Sequence, residues 1–144
     1  MAQKVTIVVE KGKGDKNFAC FMADELPGFG LAGYGHSAQE AIDDLHVALK
    51  ETREELTNMG QQMPELEFDF KFDVGSFFDY YPLNVTETAK RIGINASLLR
   101  QYVSGVHVPQ AKQLQRIHDG LVRMFQWMDA DSLISKPTTA YVQI

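Results

Sequence analysis

Residues 66–82, "LEFDFKFDVGSFFDYYP", hold two different periodicities side by side. Leu66, Phe68, Phe70, Phe72 and Val74 alternate with Glu67, Asp69, Lys71 and Asp73. A period of two puts every apolar side chain on one side of an extended chain, so Leu66–Val74 predicts a strand with one buried face. Gly75 ends the alternation. Ser76–Tyr81 then predicts a short aromatic helix, stopped by Pro82. The chain changes class here: mainly strands before residue 75, helices after it.

Upstream, "KVTIVVE" (Lys4–Glu10) is β-branched and predicts a strand. "KGKGDKN" predicts a turn, and "FACFMA" (Phe18–Ala23) a second strand antiparallel to the first. Pro27, Gly28, Gly30, Gly33 and Gly35 leave room for at most a short third strand around Phe29–Tyr34. Ser37 and Glu40 form a capping box that opens an amphipathic helix ending near Asn58 and Gly60. Residues 1–74 therefore predict a β-β-β-α-β sheet with one helix laid on it.

Downstream, Asn84-Val85-Thr86-Glu87 is a second capping box, opening a helix that ends at Gly93. Asn95 caps the next helix, which ends at Ser104-Gly105. Pro109 starts a last helix whose apolar stripe is Leu114, Ile117, Leu121, Met124 or Phe125, and Met128. The fold class is α+β, with the sheet and its helix in 1–74 and an all-α helix-turn-helix domain in 75–128. The tail, 129–144, is expected to fray or to add an interface strand.

Charge follows the same division. The total is −5. Residues 1–75 carry seven basic and fourteen acidic side chains, and residues 76–144 carry seven and five. Residues 84–123 alone hold six basic side chains against two acidic ones, so the acidic total does not exclude a nucleic-acid partner. No apolar run is long enough to cross a bilayer and no signal-peptide pattern opens the chain, so a cytoplasmic protein without membrane contact is expected. The single cysteine, Cys20, excludes an internal disulfide and is expected to be a small core residue.

The segment "AKRIGINASLLRQYVSG" (89–105) has the residue types that two steeply crossing helices need. Ala89 is small where the second helix passes over the first. Gly93 tolerates a left-handed turn, and Ile92, Ile94, Leu99 and Tyr102 or Val103 anchor both helices. The outer face of the second helix is polar. Together with "VPQAKQLQRI", this stretch resembles the phage-repressor type of helix-turn-helix, in which the second helix enters the major groove. The resemblance implies that Asn95, Ser97, Arg100, Gln101 and Ser104 face bases, with Lys90 and Lys112 toward phosphates. It also implies a dimer or tetramer, because operators are read with pseudo-twofold symmetry. The first helix of the set, Ser76–Tyr81, is shorter than that pattern has.

Leu26-Pro27-Gly28 and Gly35-x-Ser37-x-x-Glu40-Ala41 resemble the hallmark of the HicB antitoxin domain, a partial ribonuclease-H fold. The resemblance implies an antitoxin of a type II toxin-antitoxin system. Such a protein binds and neutralises a small basic HicA-like ribonuclease and represses its own operon by binding operator DNA. Asp24, Glu25, Asp43, Asp44, Glu51, Glu54 and Glu55 are the candidate toxin-facing acids, since a basic partner is steered by an acidic face.

Two alternatives stay open. One is a stand-alone helix-turn-helix regulator with an N-terminal sensing or oligomerisation domain. The other is a ribonuclease-H-like nuclease, which needs carboxylates converging on two metals. Glu10, Asp24, Glu25 and Glu40 do not form such a set in the sequence. His36, His46, His107 and His118 lack a metal spacing, and "GKG" at 12–14 lacks a nucleotide-loop setting. No catalytic residue, metal or cofactor is expected.

Overall fold

The computed structural model describes residues 2–12, 16–26 and 28–135. The chain is a mixed α+β structure. Strands β1 (Gln3–Lys11), β2 (Phe18–Met22) and β3 (Ala32–Gly35) precede helix α1 (Ala38–Asn58) and strand β4 (Leu66–Phe72). Helices α2 (Val74–Tyr80), α3 (Val85–Ile92), α4 (Ala96–Ser104) and α5 (Ala111–Trp127) follow, with a short 3-10 turn at Ala130–Ser132.

The described strands form a four-stranded sheet in the order β3-β2-β1-β4. β1, β2 and β3 are antiparallel neighbours, whereas β4 lies parallel to β1. Parallel neighbours need a crossover, and α1 supplies it. Register sets Val5 beside Phe68, Ile7 beside Phe70 and Val9 beside Phe72. The core on this face is Val5, Ile7, Val9, Phe18 and Cys20 from β1 and β2 against Ala38, Ala41, Ile42 and Leu45 from α1. Helix and sheet approach so closely at Gly33 that any Cβ there would strike Ala41 O and Leu45 N.

The third strand lies further along than Phe29–Tyr34. Leu26 and Phe29 form a bridge of their own, with Gly28 at φ +90° between them, so pairing with β2 starts only at Ala32. The capping of α1 is also shared out differently. Ser37 Oγ accepts from Glu40 N, but Glu40 Oε2 accepts from His36 N.

β4 ends at Phe72, and Val74 belongs to α2. Asp73 makes the break: one carboxylate oxygen accepts from Ser76 N and caps α2, while the other accepts from Lys11 N at the end of β1. The strand and the helix therefore meet in a single residue, and the division between sheet and helices falls one or two residues before the sequence places it. The helices gather round a second buried cluster of Val74, Phe78, Ala89, Ile92, Ile94, Leu99, Ile117, Leu121 and Met124.

That cluster is packed directly onto the sheet. Ala38 N donates to Asp79 Oδ2 at 2.8 Å, and a Cβ on Gly75 would lie 2.6 Å from Val103 O and 2.9 Å from Lys11 Cδ. Among the described residues no all-α unit stands apart from the sheet.

α5 starts at Ala111, two residues after Pro109. Its buried residues are Ile117, Gly120, Leu121 and Met124, so Leu114, Phe125 and Met128 are not core. Phe125 and Met128 point away because α3 covers only one side of α5, and Leu114 lines an open cleft with Phe72, Phe77 and Phe78. Gly120 marks the line of contact, where an added Cβ would sit 2.6 Å from Ile92 Cβ. Residues 133–135 of the tail are exposed, and 136–144 lie outside the described residues. No helix among the described residues is long and apolar enough to cross a membrane.

Candidate nucleic-acid interface

α3 and α4 are joined by Gly93-Ile94-Asn95, a turn each residue of which has a physical task. Asn84 Oδ1 accepts from Glu87 N and starts α3. Gly93 ends it at φ +79°, a left-handed conformation that a side chain resists. The N–H groups of Gly93 and Ile94 both donate to Ala89 O at 3.0 Å. Asn95 Oδ1 then accepts from Leu98 N and starts α4. Gly105 ends α4 in the same left-handed way, at φ +81°. The anchors lie as the packing argument requires: Ala89 and Leu99 are 0% exposed, Ile92 and Ile94 are buried, and Tyr102 and Val103 are half-buried against the same cluster.

With Leu99 turned inward, α4 presents a polar outer face. Asn95, Ser97 and Arg100 are exposed, and Gln101 and Ser104 are half-buried. Arg100 does not hang free: its Nη1 donates to Thr86 Oγ1 in α3 at 3.0 Å. Ser104 Oγ donates to Gln101 O at 3.1 Å, so that hydroxyl is turned back along its own helix.

Gln101 shares an open cleft between α4 and the start of α5 with His107, Gln110, Lys112, Gln113 and Arg116. The structure thus brings Gln101 and Lys112 together. Lys90 is not part of that cleft; it lies on α3, 3.3 Å from Glu87. Arg116 was not singled out by the sequence. Its Nη2 reaches Gly93 O at 3.4 Å, which ties α5 to the turn between α3 and α4. The cationic run of residues 84–123 includes it, but nothing local marks its place in the cleft.

The acidic candidates of the N-terminal half separate into two groups. Asp24 Oδ2 accepts from Thr6 N at 2.6 Å, and Asp44 Oδ2 accepts from Tyr34 N at 2.9 Å. Both hold strand ends in place. Asp43 accepts from Gln39 Nε2, whereas Glu25, Glu51, Glu54 and Glu55 lie exposed. Among the described residues no three His, Cys, Asp or Glu side chains gather in a group that could hold a metal ion.

Family models, curated proteins and solved structures were all compared with the chain, and none matches it. Function must therefore be read from these side chains.

Cys20 is 0% exposed, with Sγ 3.0 Å from Ala41 O. Burial, and then the charge of Asp44, push its thiol up to about 11, against a lowering hydrogen bond from the Gly33 backbone. A thiol raised in the folded state keeps its proton there longer than in the unfolded chain, so its contribution is complete below about pH 9 and lost as pH rises toward about 11. Native protein at pH 7.5 is expected to leave a thiol reagent unreacted until denaturant is added. The urea midpoint should fall between pH 9 and 11, and Cys20→Ala should fall less.

Proposed function

We propose that the chain is a HicB-like antitoxin and autorepressor that acts in the cytoplasm by stoichiometric binding, without catalysis. In this reading residues 1–74 bind and block a small basic HicA-like ribonuclease, and the helices of 75–128 read the operator of the same operon as a helix-turn-helix domain. The observation that carries it is the α3–α4 pair: a left-handed glycine turn, a buried Ala89 and Leu99, and an outer face of Asn95, Ser97, Arg100 and Gln101. Helices crossing in this way place the start of the second helix in a major groove, where arginine recognises guanine and glutamine or asparagine recognises adenine. The bond that Arg100 Nη1 donates to Thr86 Oγ1 holds the arginine before DNA arrives, which reduces the entropy lost on contact. Lys112 beside Gln101 supplies a phosphate contact.

Operators with pseudo-twofold symmetry need a symmetric protein. The exposed apolar residues that share one side of α5 and its end offer one contact: Leu114, Phe125 at 48% exposure and Met128. Among the described residues, the toxin-facing acids whose carboxylates accept from no backbone N–H are Glu25, Asp43, Glu51, Glu54 and Glu55.

Arg100→Ala is expected to weaken operator binding by about 1–3 kcal/mol and relax preference at one base pair. Lys112→Ala should weaken binding on all sequences and lower the slope of log K against log salt by roughly one. Fluorescence anisotropy on the DNA upstream of the coding sequence, over a salt series, measures both. Unchanged affinity in Arg100→Ala at fixed salt would refute the assigned role. Co-expression with the neighbouring open reading frame tests the antitoxin half: co-purification of a small basic partner, with suppression of its ribonuclease activity, supports it. A DNA-binding protein with no such partner would leave the stand-alone regulator.

A further inference from the structure

β4 is an edge strand of seven residues, longer than β2 and β3. Among the described residues it pairs with β1 only, and no described strand takes up the N–H and C=O groups on its other side. Natural edges are blunted by shortness, by proline, by inward-pointing charge, by charged side chains along the edge or by a covering element, and of these β4 carries the charged side chains Glu67, Asp69 and Lys71. β4 has none of the first three. Its side chains on the helix-bearing face are Phe68, Phe70 and Phe72, all half-buried. They continue into Tyr80 and then Tyr81, with ring centroids 5.9, 6.4, 4.9 and 5.0 Å apart in succession. Tyr80 and Tyr81 are exposed, so the aromatic band reaches solvent.

On the other face β4 carries Glu67, Asp69 and Lys71, with Asp69 and Lys71 already 3.7 Å apart in one strand. We propose that β4 pairs antiparallel with β4 of a second copy, with the twofold axis at Phe70, joining two four-stranded sheets into one. In that register Phe70 faces Phe70 and Phe68 faces Phe72 on the aromatic side. On the open side Asp69 faces Lys71 twice, once on each side of the axis, and Glu67 falls opposite Asp73, which lies one residue past the strand with its carboxylate held by Ser76 N and Lys11 N.

Within Leu66–Phe72 this register opposes no like charges, and the neighbouring registers centred on a residue do. An axis at Phe68 opposes Glu67 to Asp69, an axis at Asp69 opposes that carboxylate to itself, and an axis at Lys71 opposes Lys71 to itself. An axis between residues sets phenylalanine against charge. Aromatic pairs and opposite charges across strands each stabilise a sheet, while like charges directly opposed destabilise it. The contact is isologous, so it closes on itself at two copies and does not propagate into a fibre. Lys71 and Phe72 also line a cleft with Leu114 and His118 of α5, so the edge contact lies beside the one proposed there.

Two sets of variants test it in the full chain. Phe70→Cys is expected to form a disulfide-linked dimer on mild oxidation, because residues opposed in an antiparallel pair lie within disulfide reach. Phe68→Cys is the control: its symmetry mate would lie roughly 13 Å away along the strand, beyond reach. Buried Cys20 leaves the background low. In light scattering, Lys71→Asp or Asp69→Lys should halve the mass of the assembly, and Asp69→Lys/Lys71→Asp together should restore it. These are surface charges, so far-UV circular dichroism should stay unchanged. Equal cross-linking of both cysteine variants would overturn the proposal. So would no cross-linking of Phe70→Cys, or an unchanged mass in Lys71→Asp.

Discussion

Gly33→Ala is expected to lower stability by about 3 kcal/mol or more, although it adds a single methyl group. The methyl would meet Ala41 O, Leu45 N and Leu45 Cα. All three are backbone atoms in the middle of α1, and none can turn aside as a side-chain tip would. Either β3 or α1 has to move as a whole. That movement opens the best-filled part of the sheet core, where Cys20, Ala41 and Leu45 are all 0% exposed. It also strains the hydrogen bond from Tyr34 N to Asp44, which fastens β3 to α1 beside the clash.

Gly30→Ala is the matched control. Nothing lies within 4 Å of its added Cβ and its φ is not positive, so the substitution should be neutral or stabilise by up to about 1 kcal/mol through the unfolded chain. Urea midpoints of the two variants and the parent measure the contrast. A Gly33→Ala midpoint equal to the parent's would show that α1 does not sit on β3 as described.

The contrast also shows what local pattern reveals and what it leaves out. Gly33 and Gly30 look alike in "LPGFGLAGYG", as glycines that merely interrupt a strand. Their difference lies in the distance to a helix that begins several residues later, and no local period records that. The same limit moved Val74. Alternation carries it into the strand, but Asp73 spends its carboxylate on Ser76 N and Lys11 N, and the chain has to turn there.

Elements bounded by backbone chemistry were legible: the caps at Ser37, Asn84 and Asn95 and the left-handed turn at Gly93 lie where the sequence places them. The α3–α4 anchors were legible for the same reason, since Ala89, Ile94 and Leu99 are set by turn geometry. The outer residues of α5 were not. A helical stripe says which residues share a face, but not how much of that face a neighbour covers, and Leu114, Phe125 and Met128 are left in solvent. Asp24 and Asp44 read as surface charge because a carboxylate that accepts a backbone N–H from a distant strand has the same local sequence as one that does not. The bond between Thr86 and Arg100 joins residues fourteen apart and has no signature in either helix alone.

Leu99→Ala is expected to cost about 2–5 kcal/mol, the range for removing a fully buried leucine where neighbours relax only partly. Leu99 is the sole buried residue of α4, a helix of nine residues. A helix that short is not stable alone in water, so its position depends on this side chain meeting the cluster supplied by α2, α3 and α5. Truncation leaves α4 with only the half-buried Ala96, Leu98, Tyr102 and Val103 as apolar attachments. The exposed Asn95, Ser97 and Arg100 lose their fixed placement with it. The sole tryptophan reports on this region, because the Arg91 guanidinium lies 3.8 Å from the centre of the Trp127 ring and so links the end of α5 to α3. Its fluorescence transition in urea should move to lower concentration in Leu99→Ala.

Comparison with Arg100→Ala separates scaffold from reading face. The arginine variant is expected to melt within about 0.5 kcal/mol of the parent while losing operator affinity, as exposed substitutions do. The leucine variant should lose stability first and affinity in consequence, recovering part of its binding when cooled well below its midpoint. If Leu99→Ala kept the parent's midpoint, α4 would not be held by the packing described, and the reading face proposed for it would lose its rigid support.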